Sequence, residues 1–172
     1  MSEEVIVRFK YTFEEQRSGL KWHYRMQYPR IVHVFFWGAV CMMIFSGSYT
    51  TLKFGTDAGG LSVLLYGIGI VAYFRIFYPW ILKRQFLKRP DHNSQIEWRV
   101  SESGIKSKTS HGHAEQSWAA FSKIAQTKDG FLFYPNARIF HWLPRLGFAS
   151  DADFDRVSQL AQKNVSSFKT AK

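Results

Sequence analysis

The stretch from Ile31 to Leu52, IVHVFFWGAVCMMIFSGSYTTL, decides the fold. It runs 22 residues with no Asp, Glu, Lys or Arg and a single histidine, His33. At 1.5 Å per residue a helix of that length reaches roughly 33 Å, enough for a hydrocarbon core of about 30 Å. A second run, Leu61 to Leu82, LSVLLYGIGIVAYFRIFYPWIL, is equally long and carries one charge, Arg75. Between them Lys53 to Gly60 is rich in glycine and small polar residues, a normal connector for two antiparallel helices. The expectation is a two-helix transmembrane hairpin with spans 31–52 and 61–82. A soluble domain within 172 residues would have too little other surface to bury both runs all round.

Orientation follows from the flanking charge. Lys21, Arg25 and Arg30 precede the first run, Lys83, Arg84, Lys88 and Arg89 follow the second, and only Lys53 stands near the connector. The positive-inside rule then places both termini in the cytoplasm. Tyr24, Tyr28, Tyr78 and Trp80 fall near the same interface, as an aromatic belt requires. The acidic start and the thirty residues before the first run do not fit a secretory leader, so no cleavage is expected. The reading is a multi-pass protein of the bacterial cytoplasmic (inner) membrane.

The formal charge of +10 is spread along the chain rather than gathered in one patch, so a nucleic-acid partner is not expected. Its densest block, Lys83, Arg84, Lys88 and Arg89, follows a span, where anionic headgroups attract such residues. These four are candidate lipid-headgroup contacts. Arg75 is an intramembrane polar candidate, and its distance from Leu82 lets it snorkel to the headgroups. Counting from the connector sets Trp37 and Gly38 at its depth, which would allow a cation–π contact. The same counting sets Ser46 and Gly47 opposite Gly67 and Gly69, a small-residue contact between helices.

Outside the hairpin, Val5 to Thr12 alternates as a half-buried strand, and Thr12 with Glu15 makes a capping box. Residues 13–28 fit either period, with a helix running into the membrane preferred. After a basic collar, 83–93, the breaker cluster Pro90-Asp91-His92-Asn93 leads to strands expected over 95–100, 104–109, 122–127, 130–134 and 137–143. Ser150 opens a closing helix whose apolar face is Phe154, Val157, Leu160 and Ala161. The domains are then 1–30, 31–82, 83–93, a β domain at 94–164, and an unstructured tail at 165–172. The fold class is α+β, a hairpin plus a small antiparallel sheet closed by a C-terminal helix.

Several segments carry a family likeness. They are Ser101-Glu102-Ser103-Gly104-Ile105, Trp118 followed by Ile124, Phe131-Leu132-Phe133-Tyr134, Leu143-Pro144-Arg145 with Phe148, and Ser150-Asp151-Ala152-Asp153-Phe154. With the strand and two-span preamble they resemble the YcxB-like family of small bacterial membrane proteins. The resemblance implies a cytoplasmic domain similar to the bacterial pleckstrin-homology fold, and no reaction or ligand. Trp118 to Phe121 departs from that pattern and is open to a helical turn.

Catalytic spacing is not found: no nucleophile–base pair, phosphate loop or zinc-protease motif is legible. The single cysteine, Cys41, lies in the first span and excludes an intramolecular disulfide. No cofactor is expected. His111 and His113, with Glu115, share one face if extended and are candidate metal ligands; the competing reading is a polar loop between strands. Arg138, Trp142 and Arg145 form a candidate ligand patch, set against an aromatic core with exposed arginines. The function expected is a membrane-anchored cytoplasmic binding or interaction module. The alternative is a membrane-bound metal-dependent enzyme or regulator acting through His111 and His113. Partners are membrane lipids, a membrane or cytoplasmic protein, or further copies of the chain in a homo-oligomer.

Overall fold

The computed structural model describes residues 4–56, 59–109 and 112–171. It divides into two compact units, one made of the chain up to Met26 and from Arg89 onward, the other of Gln27–Lys88. The fold is α+β, with mostly antiparallel sheets in the first unit and two long apolar helices in the second.

The first unit begins with β1, Val5–Lys10, where Val5, Val7 and Phe9 are buried and Ile6, Arg8 and Lys10 are exposed. The alternation read from sequence is therefore the sheet's two faces. Thr12 then caps α1, Phe13–Gln27, its hydroxyl accepting from the Glu15 N–H at 3.3 Å. The helical reading of residues 13–28 holds, but the helix stops at Gln27 instead of running on. Pro29 explains the break, since the residue before a proline is pushed out of helical backbone.

Across the other unit's segment the chain continues with β2 Gln95–Val100, β3 Ile105–Thr109, β4 Gly112–Gln116, β5 Lys123–Thr127, β6 Gly130–Tyr134 and β7 His141–Pro144. The helix α5, Asp151–Asn164, and β8, Phe168–Thr170, close the chain. One sheet has the order β1-β2-β3-β4 and the other β7-β6-β5-β8. The expected single sheet is thus two, and β5 and β8 pair in parallel. Three strands correct the sequence reading. The strand expected over 137–143 is β7 at His141–Pro144, and residues 137–140 lie in the loop before it. Gly112–Gln116, expected as a metal-ligand segment or loop, is an edge strand with exposed side chains held by register to β3 and a Lys106–Glu115 ion pair at 3.1 Å. The tail expected to be unstructured supplies β8, locked by the Ile124 N–H to the Ser167 carbonyl and the Ala171 N–H to the Gln126 carbonyl. Trp118–Ala120 is a short 3-10 turn, as its composition allowed.

Strand β6, Phe-Leu-Phe-Tyr after Gly130, is buried throughout because both faces of its sheet are covered. Phe131 and Phe133 enter a core with Val7, Val100, Ile124, Phe154 and Val157. Leu132 and Tyr134 enter a second core with Trp22 of α1, Ala125 and Trp142. The face of α5 expected from sequence, Phe154, Val157, Leu160 and Ala161, is the buried one, and Ser150 caps the helix by accepting from the Asp153 N–H. Removing the apolar area of such side chains from water is the main favourable term in this unit.

The second unit is a helical hairpin. Helix α2 is Arg30–Phe54; the returning helix is Gly60–Leu87, made of α3 Gly60–Ala72, a π-helical turn Tyr73–Phe77 and α4 Tyr78–Leu87. Both are longer than the expected spans, so Lys83 and Arg84 lie on α4 and not in a loop. The π-turn has a local cause. Pro79 has no N–H to give the carbonyl four residues back and its ring crowds that carbonyl. The Tyr78 N–H bonds to the Tyr73 carbonyl, five residues back, instead.

Contact between the helices rests on small residues. A side chain built on Gly47 would meet the backbone of Leu64, and one on Gly60 would meet Thr50 and Thr51. One on Gly67 would meet Ile44 at 2.7 Å. Gly69 and Gly38 have open space instead, so Gly47 and Gly67 are contact residues but not with the partners expected from depth, and the expected apposition of Gly38 with Arg75 is absent. Trp37 meets the ring of Phe74 at 6.0 Å rather than Arg75, which is exposed. Hydroxyls inside the hairpin bond back along their own helix, Ser48 to the Ile44 carbonyl and Thr51 to the Gly47 carbonyl.

Candidate functional site

In the first unit a cleft of about 380 Å³ opens between the β1 end, the first turns of α1, the start of β2 and the β6–β7 loop. Its apolar wall includes Phe9, Leu20, Ile96, Trp98, Ile139 and Phe140, and its polar groups come from Tyr11, Gln16, Arg89, Asp91, Arg138 and His141. The size and the mixed lining are those of a small-ligand site.

Local chemistry fixes most of these groups. Arg89 is bonded through Nε and one terminal nitrogen to both oxygens of Asp91, each at 3.0 Å, and through the other to the Tyr11 hydroxyl at 3.3 Å. Its charge is therefore answered within the cleft, and burial pushes the Tyr11 phenol up from its ordinary range. The β6–β7 loop is held by Asn136, whose Oδ1 accepts from the N–H groups of Arg138 and Ile139 at 3.0 and 2.9 Å. Arg138 itself is exposed and its guanidinium has no acidic partner among the described residues. Burial pushes the His141 imidazole below its ordinary pKa, so it adds no second cation at neutral pH. The Oε1 of Gln16 is buried with no hydrogen-bond partner.

Against this geometry the expected ligand patch divides. Arg138 and Trp142 line the cleft. Trp142 is mostly core, its Nε1 donating to Glu15 at 2.9 Å and its ring packed on Gly19. Arg145 is elsewhere, bonded to Asp151 at 2.7 Å and stacked over Phe154 at 4.4 Å. Sequence reasoning missed Gln16, Arg89's pairing and His141. Nothing local to these residues signals them, because their convergence is made by contacts over long stretches of chain.

The remaining candidates stand apart. Lys83, Arg84 and Lys88 are exposed, with Arg84 over Trp80 at 5.4 Å. His113 is exposed on β4, and its proposed co-ligand His111 lies outside the described residues. Among the described residues no three His, Cys, Asp or Glu side chains cluster in a metal-binding arrangement.

His23 is buried on α1, hydrogen-bonded at Nδ1 to the Tyr134 hydroxyl at 3.1 Å and stacked on Phe140 at 4.7 Å. Burial, with Lys123 nearby, pushes its pKa down, and burial holds the Tyr134 phenol up at about 12.

Residues 100–161 match the family model described as YcxB-like protein, which spans the end of β2 through most of α5. The family relation read from the sequence is thus shown over those residues. Neither a curated protein nor a solved structure matches the chain.

Proposed function

We propose that this YcxB-like protein is a membrane-anchored cytoplasmic binding module, meeting a protein partner or lipid headgroups at the inner face of the membrane. The observation that carries the reading is the exposure of the hairpin. Only 11% of the apolar stretch of either long helix is buried, while side chains such as Phe45 and Leu52 are 75% and 87% exposed. A soluble protein does not leave contiguous apolar surface on that scale open to water. Lipid removes the cost, and Lys83, Arg84 and Lys88 suit the headgroup layer.

The pleckstrin-homology-like assignment belongs to the same proposal. Two sheets closed by α5 support it, with β1 pairing antiparallel to β2 across the intervening helices. On this reading α1 and the hairpin are an insertion between the first two strands. A module of this kind works by binding, and the cleft beside β1 supplies a concave surface for it.

The test has two parts. Membranes from bacteria expressing the chain are washed with alkaline carbonate; retention in the pellet is expected, and release into the wash refutes anchoring. A photo-crosslinking residue is then placed at Ile139 in the cleft and, separately, at Lys128. A discrete adduct from position 139 alone supports binding at the cleft, and adducts from neither position or equally from both refute it.

A further inference from the structure

Strand β4, Gly112–Gln116, ends its sheet, and its residues from Gly112 to Glu115 are exposed. The opposite edge, β1, is met by the Arg145–Gly147 turn, where a Cβ on Gly147 would lie 3.2 Å from the Arg8 carbonyl. At the β2–β3 turn Ser101 and Gly104 exchange backbone hydrogen bonds of 2.9 and 3.4 Å. Such exchanges alternate along antiparallel strands, so Lys106 and Lys108 bond to β2 while Ile105, Ser107 and Thr109 bond to β4. The register partners of those three are Gln116, Ala114 and Gly112. The N–H and C=O groups of His113 and Glu115 therefore point away from the sheet, open to a further strand. Neither lysine nor proline, the usual guards of an exposed edge, stands in β4.

We infer that β4 pairs antiparallel with β4 of a second copy of this chain, joining two four-stranded sheets across a two-fold axis at Ala114. This surface is separate from the cleft and goes beyond the functional reading given for it. The donor and charge pattern of the strand selects the occupant. Of the registers that bring the outward groups of both strands together, two set His113 or Glu115 opposite itself. The remaining one sets His113 opposite the second copy's Glu115, and repeats that pair on the other side of the axis. An imidazole N–H then faces a carboxylate twice, which favours pairing, whereas carboxylate facing carboxylate opposes it. Lys106 engages Glu115 through Oε1 at 3.1 Å, which leaves Oε2 for the imidazole. At the axis two alanines meet, small enough for the roughly 4.5 Å Cα approach of a non-hydrogen-bonded pair. Read backwards, β4 thus carries the complement of itself read forwards, a match that an unrelated strand makes only by coincidence.

The test uses the full chain in broken cells before any fractionation, so that its outcome does not depend on where the chain resides. With Cys41→Ala as background, Ala114→Cys places two thiols across the axis at a Cα separation of about 4.5 Å, within the range of about 4.4–6.8 Å that a disulfide spans. Mild oxidation is expected to give a disulfide-linked dimer on a non-reducing gel. Lys128→Cys, exposed in the β5–β6 turn, should give none. Added to Ala114→Cys, His113→Glu alone should lower the dimer yield several-fold, because it sets carboxylate against carboxylate. Glu115→His alone should lower it too, since no acceptor carboxylate remains. His113→Glu together with Glu115→His exchanges the two groups, sets the moved carboxylate across from Lys108 in β3, and should restore the yield to within about twofold. That rescue reads pairing and not folding, because a loss of fold in the single variants would not be repaired by a second change at an exposed position. No dimer from Ala114→Cys would overturn the inference. So would equal dimer from Ala114→Cys and Lys128→Cys, an exchange variant no better than the single ones, or an adduct of another mass in the dimer's place.

Discussion

A Cβ atom placed on Gly47 of α2 would lie 2.5 Å from the backbone nitrogen of Leu64 on the returning helix. The neighbour is backbone, so no rotamer change can relieve the overlap. The pairs Gly47 with Leu64, Ile44 with Gly67 and Trp37 with Phe74 keep one antiparallel register along the hairpin.

Gly47→Leu should therefore force the two helices apart, and Gly69→Leu, which faces open space, should not. Cysteines replacing Trp37 and Phe74, in a background with Cys41→Ala, report the separation through a short bifunctional thiol reagent. Crosslinking should be efficient in the parent and with Gly69→Leu, and should fall several-fold with Gly47→Leu. Equal crosslinking in all three proteins would remove the glycine contact as the basis of packing.

The ring of Phe133 is fully buried among Trp98, Phe121 and Phe131, with centroid distances of 5.4 to 6.1 Å. Phe133→Ala should cost about 3–5 kcal/mol, the usual range for emptying such a site. Ile139→Ala, at an exposed position, should stay within about 0.5 kcal/mol. Denaturant unfolding followed by tryptophan fluorescence checks both, and a Phe133→Ala loss as small as that of Ile139→Ala would mean that the core is misplaced.

How far these features could be read beforehand depends on whether the signal is local. The alternation of Val5, Val7 and Phe9, the Thr12 cap and the face of α5 are written within a few residues, and each stands in the structure. Strand β4 has no buried face, so no apolar pattern marks it; its pairing with β3 alone makes it a strand. Counting depth along two antiparallel helices named Gly47 and Gly67 among the contact residues, with partners shifted from Leu64 and Ile44, and also named Gly69 and Gly38, which face open space, because depth does not tell which side of a helix a residue occupies. Arg138 was legible as a candidate, whereas Gln16 and His141 join it only through the tertiary fold. Arg145 was misplaced for the same reason, its guanidinium taken by Asp151.

Acid should destabilise the first unit through His23 and His141. Both have folded-state pKa values pushed below the ordinary 6.5, first by burial, so below about 6.5 the unfolded chain binds protons that the folded chain refuses. Stability is then full above that pH and falls as pH drops from it toward the depressed folded values. Melting temperatures followed by tryptophan fluorescence should decline between pH 7.5 and pH 5. His23→Gln combined with His141→Gln should flatten the decline. A parent whose melting temperature is constant over that range, or a double variant with an undiminished slope, would refute the assignment.

The topology can be tested with the connector as the outside marker. Lys53 is the sole basic residue near the connector, and it is engaged locally, its Nζ 3.0 Å from the Tyr49 hydroxyl. The basic residues before α2 and along the end of α4 far outnumber it, so the charge bias favours keeping both outer ends in the cytoplasm. With Cys41 replaced by alanine, single cysteines at Glu4, Thr56 and Ser167 give three reporters in described parts of the chain. In intact cells an impermeant maleimide should label Thr56→Cys and spare the other two. After permeabilisation all three should react, which shows that the spared thiols were shielded by the membrane and not by the fold. Labelling of Glu4→Cys or Ser167→Cys from outside would invert the arrangement. It would also place the cleft outside the cytoplasm, since its residues, like these two reporters, come from the segments before and after the hairpin.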